Sequence, residues 1–154
     1  MEAVLDALGS SDLAQWLRFS RWSYAAVNTT HVLGIALLVG AILPLDLRLL
    51  GAWPSVPLEP LARVLIPVAA TGLALAVTTG ALLFITRATE YAALDLFFVK
   101  LALIGTGAAH ALYVHLGRGF QNASPRRLRL TGATSLSLWL AALVSGRMLA
   151  FVGD

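Results

Sequence analysis

Cysteine is absent from this chain, and charged side chains are scarce. Without cysteine, neither a disulfide nor a thiolate metal site can form. Charged residues make up 12% of the chain and hydrophobic residues 58%, whereas about a quarter of a soluble domain is charged. With a mean hydropathy of +0.81, the composition leaves too little polar surface for a water-soluble protein, and it predicts an integral membrane protein.

Several functional signatures are missing as well. The basic residues form no continuous basic face, which argues against nucleic-acid binding. The chain has no GxSxG nucleophile elbow, P-loop or HExxH motif, so an independent enzymatic activity is not expected. Two methionines, three histidines and no cysteine make a poor path for Cu(I), because that ion prefers thiolate and thioether ligands.

Four long apolar segments are present, and polar connections separate them. They cover about residues 22–45, 64–86, 96–117 and 130–152, with Lys100 and Arg147 as the only charges inside them. A bilayer core about 30 Å thick needs about 20 helical residues, so each segment is long enough to cross it. The sequence therefore predicts an all-α fold, a single-domain transmembrane four-helix bundle. An amphipathic lead-in precedes the first span, with Ser11 or Asp12 as candidate N-cap.

Two further patterns concern packing and orientation. Gly72, Ala76 and Gly80 recur at a spacing of four, which favours close approach of a neighbouring helix. The first and third connections, with their flanks, hold six of the eleven lysines and arginines, and Arg118, Arg126 and Arg127 are among them. By the positive-inside rule, we expect this side to be cytoplasmic and both termini to lie outside, in a bacterial inner membrane.

His31 is the first polar residue in the spans that suggests a site. Tyr24 and Asn28 precede it at helical spacing and share its face of the helix. By helical rise, His31 lies about 4 Å from the middle of its span. A neutral imidazole is the commonest biological metal ligand, so His31 is a candidate axial ligand of a cofactor metal. Alternatively, it hydrogen-bonds a neighbouring helix.

His110, His115 and Arg147 are the other candidates. His110 is a second candidate metal ligand, although helical rise offsets it from His31 by about 9 Å along the membrane normal. His115 lies five residues further on, and is either an alternative ligand or an interfacial histidine. Arg147 either binds a carboxylate such as a haem propionate or extends to the interface. Asp46 and Arg48 either mark the interfacial end of the first span or form a pair with Arg63 or the basic third connection that holds the connections together.

A resemblance supports this interpretation. The chain contains His31-x-x-Gly34, then Gly40, then Asp46-Leu-Arg48-Leu-Leu-Gly51, and later Lys100, His115 and Gly146-Arg147. This pattern, which covers most of the chain, resembles a family of small bacterial four-span membrane proteins of unassigned function. More distantly, the chain is similar to the copper-resistance D-type and b-type cytochrome membrane bundles. That likeness implies a haem role for His31.

The leading hypothesis is an electron-transfer protein that binds b-type haem, with a possible link to quinone. In it, His31 is one ligand, His110 or His115 the second, and Arg147 holds the propionates. Tyr24 and Asn28 complete the predicted cofactor site. The alternative is a non-catalytic membrane subunit or a small-solute carrier, in which the polar residues join helices or line a permeation path. The expected partners are the lipid bilayer and either further copies or a redox protein.

Overall fold

The computed structural model describes residues 2–116, 120 and 123–152, and this part of the chain is helical without a strand. The helices are α1 Glu2–Gly9, α2 Asp12–Phe19, α3 Arg21–Leu50, α4 Leu58–Thr86, α5 Ala88–Ala92, α6 Asp95–Leu116 and α7 Pro125–Val152. This confirms the predicted all-α class. The last residue of the third predicted span, Gly117, and Arg118 of the third connection lie outside the described residues.

Four of these helices, α3, α4, α6 and α7, are long and apolar enough to cross a membrane. They have 30, 29, 22 and 28 residues, and three of them extend beyond the apolar windows because their charged ends are helical too. The helix α3 begins after Ser20, whose side chain accepts the Ser23 N–H, and ends at Gly51 with φ +113°. Pro60 lies in the first turn of α4, where a missing N–H breaks no helical hydrogen bond.

The four long helices pack in the order α4–α3–α7–α6. The backbones of α4 and α6, at the two ends of this row, stay apart in the described residues, and the two helices meet near the terminal end through the stacked Phe84 and Phe97 rings, 5.1 Å between centroids. The tightest crossing joins α3 and α4, because a Cβ on Gly72 would lie 2.5 Å from the Leu38 backbone nitrogen. The predicted close approach at this small-residue row is thus confirmed. The four long helices form an open arc around a groove. The helices α4 and α6 are the sides of this groove, and α3 and α7 form its back.

The two ends of the bundle differ. At the terminal end, where α3 and α6 begin, the short helices α1, α2 and α5 pack together. Arg18 of α2 donates a hydrogen bond from Nε to the Thr86 carbonyl oxygen over 3.0 Å, and this bond holds α2 against the end of α4. Ser11 caps α2, as the sequence predicted. The polar link predicted at residues 87–95 contains the one-turn helix α5. The opposite end, with the α3–α4 and α6–α7 connections, is called the basic end.

Candidate functional site

A cavity of about 800 Å³ opens in the half of the bundle nearest the basic end. Its walls come from the later halves of α3 and α6 and the earlier halves of α4 and α7. The backbones of α4 and α6 stay apart at this level of the bundle, so the cavity opens sideways between them, towards lipid. Its size falls within the range of ligand pockets, about 300–1,000 Å³. The apolar walls include Leu38, Ile42, Leu45, Leu49, Ile66, Leu73 and Trp139.

Asp46 is the deepest polar residue of this cavity. It shares the buried face of α3 with Leu38, Ile42 and Leu49, and only 2% of it is exposed. Its Oδ2 atom is buried and has no hydrogen-bond partner among the described residues. Ser135 of α7 lines the same cavity and offers a nearby hydroxyl. Asp46 therefore faces the interior of the bundle, and its predicted position at the interfacial end of the first span stays a prediction.

His110 approaches the same cavity from α6. Its Nε2 atom is buried, and it too has no hydrogen-bond partner in the part of the chain described. His115 is exposed and lies at the edge of the cavity, near Arg63 and Phe120. The helix α6 makes no backbone contact with α3 in the described ranges, so His110 and Asp46 reach the cavity from opposite sides of the groove.

The two unpartnered atoms are the main chemical feature of this region. A buried polar group without a hydrogen bond costs about 1–3 kcal/mol, and native proteins leave few of them. Here Asp46 Oδ2 and His110 Nε2 have no hydrogen-bond partner among the described residues, and both residues line one apolar cavity. A bound ligand with hydrogen-bonding groups is one way to supply the missing partners. The cavity is therefore the candidate functional site, and Asp46 is its unpredicted member.

His31 lies elsewhere in the bundle. Its Nδ1 is 3.0 Å from Thr79 Oγ1 on α4, and Thr79 donates its own hydroxyl proton to the Leu75 carbonyl oxygen. Thr79 Oγ1 is therefore placed to accept a proton from His31 Nδ1. His31 does not line the cavity, and the predicted interhelical hydrogen bond is observed.

The remaining candidates are not gathered around His31 and His110. Tyr24, Asn28 and Arg147 are exposed, and the Arg147 guanidinium lies 4.8 Å from the centre of the Phe151 ring. Lys100, which interacts electrostatically with His31, precedes His110 by ten residues on α6, about 15 Å of helical rise. No group of three His, Asp or Glu residues that could hold a metal ion occurs in residues 2–116, 120 and 123–152.

One signal could have identified Asp46 from the sequence. It follows Leu38 and Ile42 at spacings of eight and four, which places it on their helix face. A carboxylate on the most apolar face of a span is an expensive placement and suggests a site. The charges of Asp46 and Arg48 near the end of the apolar run concealed this pattern.

Comparisons with known proteins add no relative. No protein family, curated protein or solved structure matches this chain. The likeness to small four-span membrane proteins and to cytochrome bundles therefore stays a prediction, and the function has to be inferred from the cavity and its residues.

Proposed function

We propose that this protein binds a quinone-class lipid in the cavity and acts as a subunit of membrane electron transfer. The observation that carries the proposal is the pair of unpartnered atoms, Asp46 Oδ2 and His110 Nε2, at one apolar cavity. A quinone has an apolar body and two carbonyl oxygens on a flat head. This combination matches apolar walls with few polar groups.

The open side of the bundle supports a ligand that arrives through the membrane. A lipophilic molecule dissolved in the bilayer could enter between α4 and α6 without passing through water, because the backbones of those helices stay apart beside the cavity and their Phe84–Phe97 contact lies near the terminal end. If the basic end is cytoplasmic, as the arginine distribution predicts, the cavity lies in the cytoplasmic half of the membrane. A water-soluble substrate would instead have to cross the connections at that end.

Asp46 and His110 can serve both redox forms of such a head group. A quinone carbonyl accepts a hydrogen bond, and either an imidazole N–H or a protonated carboxyl can donate one. A quinol hydroxyl donates, and a carboxylate or an unprotonated imidazole nitrogen accepts it. The two side chains therefore orient the head, and they provide places for its protons when it is oxidised or reduced elsewhere in a complex.

The same cavity supports haem b as a second candidate, with a ligand set different from the predicted pair. His110 Nε2 lacks a partner and could bind iron, while Arg63 at the cavity lining could pair with a propionate. His31 lies outside the cavity and does not fit as the opposite ligand. Bound haem would supply one-electron chemistry, and this chain would orient it through His110.

Trp139 provides a direct test, because its ring lines the cavity and quinones quench indole fluorescence. A variant that keeps Trp139 and replaces the other three tryptophans with phenylalanine is reconstituted in nanodiscs and titrated with a short-tail quinone. We expect saturable quenching. The Asp46→Leu and His110→Phe variants should each weaken it by about tenfold, the equivalent of one hydrogen bond of about 1.4 kcal/mol.

A matched control is His31→Gln, which changes a histidine outside the cavity and should leave quenching unchanged. Non-saturable quenching that is equal in all variants would refute quinone binding. Visible spectra taken before and after dithionite reduction address the second candidate. A Soret band lost in His110→Phe would favour haem, and a colourless protein without saturable quenching would leave the carrier or non-catalytic subunit.

A further inference from the structure

A second space, called the polar pocket, adjoins the cavity at the basic end. It measures about 440 Å³ and is formed by α6, α7 and Ser124 just before α7. Four hydroxyl groups line it, those of Tyr113, Ser124, Thr131 and Thr134. The exposed residues Arg126 and Arg127 also line it. The polar pocket therefore offers partners for water molecules, whereas the walls of the cavity are mainly apolar.

His110 and Thr131 line both the cavity and the polar pocket. His110 lies six residues before the end of α6, and Thr131 lies six residues after the start of α7. Both are therefore at the same depth, about 9 Å of helical rise from the basic end. The Nε2 atom of His110 is buried and has no hydrogen-bond partner among the described residues. The imidazole thus forms part of the boundary between a cavity open to lipid and a pocket near water.

A histidine at this boundary is suited to passing protons. Protons cannot enter the cavity from its lipid-open side, because a charge is too costly in hydrocarbon. An imidazole gains and loses a proton near neutral pH, and it has two nitrogens at which a proton can be bound. Charged and titratable side chains line the spaces on both sides of it: Asp46, Glu59, Arg63 and His115 at the cavity, and Tyr113, Arg126 and Arg127 at the polar pocket.

We propose that His110 carries protons between a ligand in the cavity and water at the basic end, by way of the polar pocket. An N–H bond of the imidazole breaks as its proton joins a basic oxygen of the ligand, and the electron pair stays on the nitrogen. The imidazole then takes a new proton from water in the polar pocket. That the ligand is a quinone rests on the proposed function: a redox partner protein supplies the electrons, and the reduced quinone oxygen takes the proton.

The test is hydrogen–deuterium exchange at the Cε1–H of the histidine rings, measured by mass spectrometry on the full-length protein in nanodiscs without quinone. This slow exchange requires both protonation of the ring and access of water to it. The exposed His115 is the fast reference within the same molecule. His31, which lines neither the cavity nor the polar pocket, is the slow reference. We expect the rate at His110 to lie much closer to that of His115 than to that of His31.

Variants at Thr134 then test the route, because this residue lines the polar pocket and not the cavity. Thr134→Leu fills the pocket and should slow exchange at His110 by at least about tenfold, since water must then wait for local opening of the helices. Thr134→Ser keeps the space and should exchange like the wild type. Ala133→Leu is the matched control, because it adds bulk at the neighbouring exposed position, outside both spaces. It should have no effect.

The proton route and the identity of the ligand are separable. A His110 rate as slow as that of His31, or one that Thr134→Leu leaves unchanged, would overturn the proposal. The first of these comparisons uses the wild-type protein alone, so it remains decisive if Thr134→Leu fails to fold. Quenching of Trp139 by quinone tests the ligand independently. If quenching is absent while His110 exchange still depends on Thr134, the proton route stands and quinone is excluded as its ligand.

Discussion

Replacing Asp46 with leucine should make the protein more stable. The Oδ2 atom has no partner among the described residues and only 2% of the residue is exposed, so the native fold bears a desolvation cost of about 1–3 kcal/mol. Leucine removes this cost, adds apolar contact with Leu45 and Leu49, and has the adjacent cavity of about 800 Å³ to accommodate its methyl groups. We therefore expect the free energy of unfolding to rise by about 1–3 kcal/mol, while quinone binding weakens by about tenfold.

The assay is thermal unfolding in detergent without added ligand, where 1 kcal/mol corresponds to about 2–4 °C in a chain of this size. Asp46→Asn keeps a buried polar group of the same shape and should change the midpoint little. Leu45→Ala, a buried position on the same helix, should cost about 2–5 kcal/mol and shows that the assay detects damage. If Asp46→Leu instead lowered the free energy of unfolding by more than about 1 kcal/mol, the carboxylate would have a structural partner. Its assignment to ligand binding would then fail.

Four further outcomes can be checked. Gly72→Leu should destabilise the bundle by about 3 kcal/mol or more in the same unfolding assay, because no helix shift short of separating α3 from α4 accommodates the side chain. Arg18→Met should speed hydrogen exchange in α1 and α2 while exchange in the α3–α4 pair stays unchanged. Burial raises the pKa of Tyr91, and the nearby Tyr24 raises it further. The folded state therefore keeps the phenol neutral, and it loses stability as the pH rises above about 10. Tyr91→Phe should make the unfolding midpoint fall less steeply with pH. Because the chain has no native cysteine, Ser55→Cys should react with an impermeant maleimide only from the cytoplasmic side, and Ser10→Cys only from outside.

The fold was predictable because lipid simplifies the problem. A bilayer offers no partners to free backbone groups, so four apolar segments of adequate length had to become helices. Gly72 and Ala76 even indicated the face on which α4 meets α3. The short helices at the terminal end were harder to foresee, because packing contacts around Ala14 and Leu17 and the Arg18 hydrogen bond hold them, rather than any strong local pattern.

The candidate site was only partly predictable for a different reason. Depth along a helix follows from counting residues, and this count already offset His31 from His110. Rotation about the helix and the order of neighbours do not follow from it. Whether Arg147 faced the bundle or the lipid depended on how α7 packs, and the structure exposes it beside Phe151. The position of Asp46 at the end of the apolar run is typical of a boundary residue, whereas its burial depends on how α3 packs.

The open row of helices also affects how fast a ligand exchanges. The helix α6 packs on α7 and, at the terminal end, on α5 and on Phe84 of α4, whereas α7 is fixed against α3 at Gly132. Access to the cavity from the lipid therefore depends on how closely α6 is held to α7. The α6–α7 packing beside the cavity depends on the contact between Gly107 and the Trp139 ring, where a Cβ on Gly107 would lie 3.1 Å from Trp139 Cε2. Substitutions at that contact should therefore change residence time more than the chemistry of recognition.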